Sequence, residues 1–188
     1  YKVTAEVYDL NSKKVWGKSQ KIDIPEDGVV SDIFTIDFPQ NITQVHFIKL
    51  RLFDTKGKEV ANTFYWRSND KYEGRKTLTG PTSSGFEDLS KLKQVQLKTR
   101  YQTYQEGDRH FIKAEIKNPS STVAFFTQLQ LLGQDKKPVR PSFYTDNFFS
   151  LLPGESKTVI IETAASDMPS EPTFVVKGWN IKPSSFKL

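Results

Sequence analysis

The stretch Val45-His46-Phe47-Ile48-Lys49-Leu50-Arg51-Leu52, followed by Asp54-Thr55-Lys56-Gly57 and the run over residues 60–66, decides the fold class. Apolar residues alternate with polar ones, the signature of a strand with one buried face. Val45, Phe47, Leu50 and Leu52 point inward together only if the alternation slips one residue near Ile48. Either a β-bulge or a strand buried on both faces produces such a slip. Asp54 to Gly57 is turn chemistry with glycine last, so residues 60–66 return antiparallel to the first strand.

Working outward, the pattern repeats. Val3, Ala5 and Val7 share a face, and a second run over residues 15–24 ends at the turn Pro25-Glu26-Asp27-Gly28. Phe34, Ile36 and Phe38 alternate with Thr35 and Asp37, which predicts another strand over residues 32–38. Residues 68–84 interrupt the pattern with polar, Ser-, Thr- and Gly-rich sequence, read as a connection between domains. A short helix is expected at Phe86-Glu87-Asp88-Leu89-Ser90-Lys91-Leu92, capped by Ser83 or Ser84. Alternation resumes at Val95, Leu97, Thr99 and Tyr101, then over residues 111–116, 123–132, 143–152, 157–162 and 173–179. Many short strands separated by turn signals predict an all-β chain with two immunoglobulin-like β-sandwich domains in tandem. The expected boundaries are 1–68 for the first, 69–85 for a polar linker, and 86–188 for the second with its short leading helix.

Composition narrows the chemistry. Among 188 residues there is no cysteine, which removes disulfides, thiolate metal sites and a cysteine nucleophile together. Aromatics reach 13%, too many for a disordered chain. No apolar run approaches the roughly 18 residues of a membrane span. The net charge of +5 is spread evenly, with 13 basic and 11 acidic residues before position 81 and 14 and 11 after it. No RNP, zinc-finger or basic-helix pattern accompanies it, so nucleic acid is not an expected partner. The chain opens on Tyr1 rather than Met, which is expected of a piece of something longer.

No catalytic, metal or cofactor site is expected. His46 and His110, the two histidines, sit inside strand patterns rather than beside a serine nucleophile. The ten glycines are scattered, with no phosphate-binding loop, and Asp27, Asp54, Asp70 and Asp108 read as turn-capping side chains. Asn41-Ile42-Thr43 is a glycosylation acceptor that matters only in a eukaryotic secretory route. The aromatics carry more information. Phe64-Tyr65-Trp66 ends one strand, and residues 143–149 are dense in rings around Asp146 and Asn147. Those rings serve either as core filling for small sandwiches or as a platform for a sugar face or a domain interface. Asp146 and Asn147 then have to face solvent or be fully hydrogen-bonded. The candidate interface or sugar-facing residues are Tyr65, Trp66, Tyr144, Asp146, Asn147, Phe148 and Trp179.

These segments also resemble a family. Asn62-Thr63-Phe64-Tyr65-Trp66 looks like the strand that closes the immunoglobulin-like domain following the catalytic barrel in glycoside hydrolase family 2. Gly85-Phe86-Glu87-Asp88-Leu89-Ser90 resembles the interdomain segment of its exo-β-glucosaminidase and mannosylglycoprotein endo-β-mannosidase branch. Asn118-Pro119-Ser120-Ser121-Thr122-Val123-Ala124-Phe125-Phe126, the run from Tyr144 to Glu155, and Gly178-Trp179-Asn180 are similar to its second such domain. The resemblance implies accessory C-terminal domains of a β-glycosidase acting on β-mannosides or β-glucosaminides. It further implies that the catalytic glutamates lie on a (β/α)₈ barrel, which needs roughly 200–250 residues of its own. The barrel of the same parent chain is the expected partner, with an oligosaccharide second, and no cofactor. An autonomous carbohydrate-binding module is the alternative reading, and the expected setting is an extracytoplasmic bacterial parent, periplasmic or secreted.

Overall fold

A computed structural model describes residues 1–69 and 85–188. The chain divides into two compact units, Tyr1–Leu92 and Lys93–Leu188. Most of the expected linker, including Asp70, Ser83 and Ser84, lies outside the described residues.

The first unit holds one antiparallel sheet. Its strands are β1 (Lys2–Asp9), β2 (Lys14–Lys21), β3 (Val45–Phe53) and β4 (Glu59–Ser68), in the order β2-β1-β3-β4. The β3–β4 turn is as expected: Gly57 has φ of +78°, its N–H donates to the Asp54 carbonyl, and Asp54 Oδ1 accepts from Lys56 and Lys58 N–H. The slip near Ile48 resolves as double burial. Strand β3 pairs with β1 without interruption, and Val45 through Lys49 are all buried. The one irregularity against β4 comes at Leu52–Phe53. One face of β3 carries His46 and Ile48, the other Val45, Phe47 and Lys49.

The strand expected over residues 32–38 does not form. Phe34, Ile36 and Phe38 are half-buried while Thr35 and Asp37 are exposed, so the alternation is real. The segment pairs with no strand among the described residues, and an extended chain without ladder hydrogen bonds is not a strand. Phe38 is held by its side chain instead, its ring 5.2 Å from the His46 ring and 4.7 Å from the Arg67 guanidinium. The short helix is a 3-10 helix, Glu87–Lys91, within this first unit; the expected caps Ser83 and Ser84 lie outside the described residues.

The second unit is the immunoglobulin-like sandwich. Its strands are β5 (Lys98–Glu106), β6 (Arg109–Lys117), β7 (Ala124–Leu132), β8 (Phe143–Tyr144), β9 (Phe149–Leu151), β10 (Ser156–Ala164), β11 (Thr173–Lys177) and β12 (Ser184–Lys187). Two four-stranded sheets, β5-β6-β10-β8 and β12-β11-β7-β9, enclose one core. Ile112, Ala114 and Ile116 on β6 and Val159 and Ile161 on β10 meet Leu129 and Leu131 on β7 and Phe174 and Val176 on β11. Strand β12 escaped the sequence reading because Pro183 and two serines mask its alternation.

Two buried asparagines fasten this sandwich. Asn118, fully buried, donates to the Thr122 and Leu151 carbonyls and accepts from the Ser120 N–H and hydroxyl. Asn180 donates to the Lys93 and Val123 carbonyls at 2.9 and 2.8 Å and accepts from the Phe125 N–H at 2.8 Å. Each amide satisfies backbone groups that no strand ladder reaches, as burial requires.

Candidate functional site

The aromatic run at residues 143–149 is dense because the chain changes sheets there. Strand β8 pairs with β10 through Tyr144 and Ile161, whereas β9, five residues on, pairs with β7. Asn147 makes the crossing: its Oδ1 accepts from the Leu129 N–H at 2.8 Å and its Nδ2 donates to the Leu129 carbonyl at 3.0 Å. The side chain thus occupies the place of a strand partner, which satisfies the demand that Asn147 be fully bonded. Asp146 meets the other condition, half-exposed and ion-paired with Lys157. Lys157 also lies over the Phe149 ring, 5.2 Å from its centroid.

Tyr144 turns inward. Its hydroxyl accepts from the Leu131 N–H at 3.0 Å and so bridges the two sheets. Burial pushes its hydroxyl above the usual tyrosine pKa, against the opposing pull of Leu131 N–H and Ser142. Phe149 is buried in the core, and Phe148 between them faces out, 50% exposed, with φ of +58°. A bulky side chain in the left-handed region costs roughly 1–2 kcal/mol.

A second residue shares that strained backbone and was not singled out from the sequence. Phe126 has φ of +57°, and its ring lies 5.4 Å from that of Phe148. It sits in a β-bulge: Ala124 pairs with Leu151 and Thr127 with Phe149, so two β7 residues oppose Ser150 alone. Ser150 Oγ accepts the displaced Phe126 N–H at 3.1 Å. The signal was present in Ala124-Phe125-Phe126-Thr127, where two consecutive large apolar residues break the alternation. Trp179, 61% exposed, joins this edge because its N–H donates to the Phe125 carbonyl.

The structure therefore gathers Phe148 and Trp179 with Phe126 on one edge of the sandwich, and gives Tyr144 and Asn147 bonding roles inside it. Tyr65 and Trp66 belong to the first unit, on opposite faces of β4: Tyr65 pairs with Ile48, Trp66 with Phe47. They are 51% and 41% exposed.

Among the described residues, His46 is not placed for acid–base chemistry. It is fully buried, neither ring nitrogen makes a well-formed hydrogen bond among the described residues, and burial holds its pKa below the usual imidazole value against the opposing pull of the Thr43 backbone. Among the described residues, no three His, Asp or Glu side chains gather as a metal site would require. Among the same residues, no helix is long and apolar enough to cross a membrane. What the edge offers is outward rings on a stiff scaffold, suited to packing against another surface or a sugar.

Comparison with known proteins places these features in a context. Residues 77–181 match the model of the exo-β-D-glucosaminidase Ig-fold domain. The chain is 29% identical over 170 residues to an exo-β-D-glucosaminidase of Streptomyces avermitilis, covering 85% of this chain and 19% of that protein. It is 25% identical over 189 residues to the enzyme of the same name from Amycolatopsis orientalis, covering 94% of this chain and 18% of that one. The crystal structure of Amycolatopsis orientalis exo-chitosanase CsxA superposes over the whole chain with a TM-score of 0.85, at 22% identity and over 23% of its own length. The chain thus spans about a fifth of the length of the relatives it matches.

Proposed function

The chain belongs to the exo-β-D-glucosaminidase Ig-fold domain family, and from this we propose that it is an accessory, non-catalytic part of a glycoside hydrolase that cleaves β-glucosaminides. The relatives are glycoside hydrolases by name. The observation that carries the proposal is the share of each relative that the chain covers, 19% and 18%. The remaining four-fifths leave ample room for a separate catalytic barrel. In this reading the barrel of the same parent is the partner, and the rings of Phe126, Phe148 and Trp179 suit packing against it or walling its cleft. The names of the relatives favour glucosaminide over mannoside as the parent's substrate.

The 188-residue chain should release no nitrophenol from nitrophenyl β-glucosaminide and give no heat with glucosamine oligomers. Grafted in place of the matching segment of the Amycolatopsis orientalis enzyme, it should restore activity that deletion of that segment removes. Heat of binding by the isolated chain would favour the autonomous carbohydrate-binding module instead. Turnover by the isolated chain would overturn both.

A further inference from the structure

The outer face of the β5-β6-β10 sheet, away from the aromatic edge, carries an unbalanced charge. Register places Lys98 directly opposite Lys117, Arg100 opposite Glu115, and Gln102 opposite Lys113. Thr158 on β10 stands opposite Glu115 on its other side. All six of the β5 and β6 residues are exposed. Several cations elsewhere meet acids: Lys14 and Arg51 meet Glu6, Arg109 meets Glu162, and Lys157 meets Asp146. Lys98, Arg100, Lys113 and Lys117 have no ion-pair partner among the described residues, and the four surround the single carboxylate of Glu115. Like charges placed directly across a strand pair destabilise it, so the sheet gains nothing from Lys98 facing Lys117. Two adjoining hollows lie over this face. One, of about 430 Å³, is lined by Lys98, Arg100, Glu115 and Lys117 with Pro119 and Gly154. The other, of about 360 Å³, is lined by Arg100, Gln102, Lys113, Glu115 and Thr158 with Tyr101. Sharing Arg100 and Glu115, they form one trough.

We infer that this trough binds an acidic polysaccharide, one carrying carboxylate or sulfate groups among free hydroxyls. The cations supply the attraction, and the planar fork of Arg100 fits a carboxylate or sulfate with two hydrogen bonds. Glu115 selects the class. A carboxylate repels anionic groups of either ligand alike, but it accepts hydrogen bonds. The free sugar hydroxyls between the charged groups donate to it, where a DNA phosphate backbone offers no such donor. Gln102 and Thr158 add polar partners for the same hydroxyls. A flat sheet face also presents nothing that enters a nucleic-acid groove. The site stands apart from the glycosidase reading and survives or fails on its own.

Calorimetry or affinity electrophoresis of the 188-residue chain with oligogalacturonate tests it. Binding is expected at low salt, weakening as salt screens the exposed charges. Arg100→Gln and the double variant Lys98→Gln/Lys117→Gln should each lower affinity at least about tenfold, with the melting temperature held or raised in the double variant, where a like-charge pair is relieved. Glu115→Leu, which removes the acceptor together with the charge, should raise affinity for single-stranded DNA more than for oligogalacturonate, a difference that general basicity does not produce. Absence of oligogalacturonate binding would overturn the inference. So would equal affinity for oligogalacturonate, DNA and vesicles containing anionic lipid, or affinity that Arg100→Gln leaves unchanged.

Discussion

Replacing Asn180 by alanine removes three hydrogen bonds at once and leaves their partners in place. The Phe125 N–H and the Val123 carbonyl are bonded in a buried setting, and the Lys93 carbonyl in a partly buried one. A buried backbone group left unpaired costs about 1–3 kcal/mol, and carbonyls tolerate it better than N–H groups. Weighting the three accordingly gives a loss of about 3–5 kcal/mol, against a total near 5–15 kcal/mol for a domain. For a unit of this size that corresponds to a melting temperature lower by about 15–25 °C. Trp179 is the only tryptophan in Lys93–Leu188, so a Trp16→Phe/Trp66→Phe background makes fluorescence report this unit alone. Urea titration of that background with and without Asn180→Ala gives the difference directly. Asn180→Asp adds a second reading. It keeps the acceptor toward Phe125 but sets a carboxylate against two carbonyls, which raises its folded pKa above the unfolded value. The variant should therefore regain stability as pH falls below that folded pKa and the protonated acid donates again. A loss under about 1 kcal/mol for Asn180→Ala, or wild-type stability of Asn180→Asp at neutral pH, would refute the reasoning.

Three further outcomes follow from other sites. His46 is buried and burial lowers its folded pKa below 6.5, so the folded state binds fewer protons than the unfolded one. Stability should fall as pH drops below about 6.5 and level off below the folded pKa, and His46→Phe should flatten that slope in melting curves taken between about pH 7 and pH 5. Burial and its bond to Glu6 raise the Tyr8 hydroxyl to about 12, so stability present below pH 10 should decline as pH rises from 10 toward 12. Tyr8→Phe should remove that decline in alkaline denaturant titrations, while a decline of unchanged size would count against it. Gly154 and Gly178 should respond differently to alanine. At Gly154, with φ of +81° and open space around the added methyl, the loss is backbone strain of about 1–2 kcal/mol. At Gly178 the methyl would come within 2.5 Å of Ile181 and 2.8 Å of the Phe126 carbonyl, so the loss should be the larger, and equal losses would contradict the packing.

The all-β class was legible because alternation is a local property, and the β3–β4 hairpin follows from it directly. Alternation does not say whether a partner strand exists, which is why residues 32–38 show the right faces and no ladder. Double burial of β3 was one of two readings of the slip at Ile48; choosing between them takes tertiary contacts that no window of sequence contains. At the candidate site the rule that Asp146 and Asn147 be bonded or exposed foresaw their two fates. It did not foresee that Asn147 stands in for a strand partner, because Leu129 lies 18 positions away. Tyr144 illustrates the same limit, since its hydroxyl serves a backbone N–H on the opposite sheet. Phe126 was hidden by its positive φ, which sequence signals reliably only at glycine or asparagine.

The crossing at Asn147 bears on how the sandwich keeps to itself in solution. Because one segment serves both sheets, their borders on that side are β8 and β9, strands of two and three residues. A border that short offers too few free N–H and C=O groups to template a strand from another molecule. The opposite borders are β5, with nine residues, and β12, with four. Strand-to-strand aggregation of this unit, if destabilised, should therefore begin along β5, and a proline placed there should suppress it more than one placed at β8.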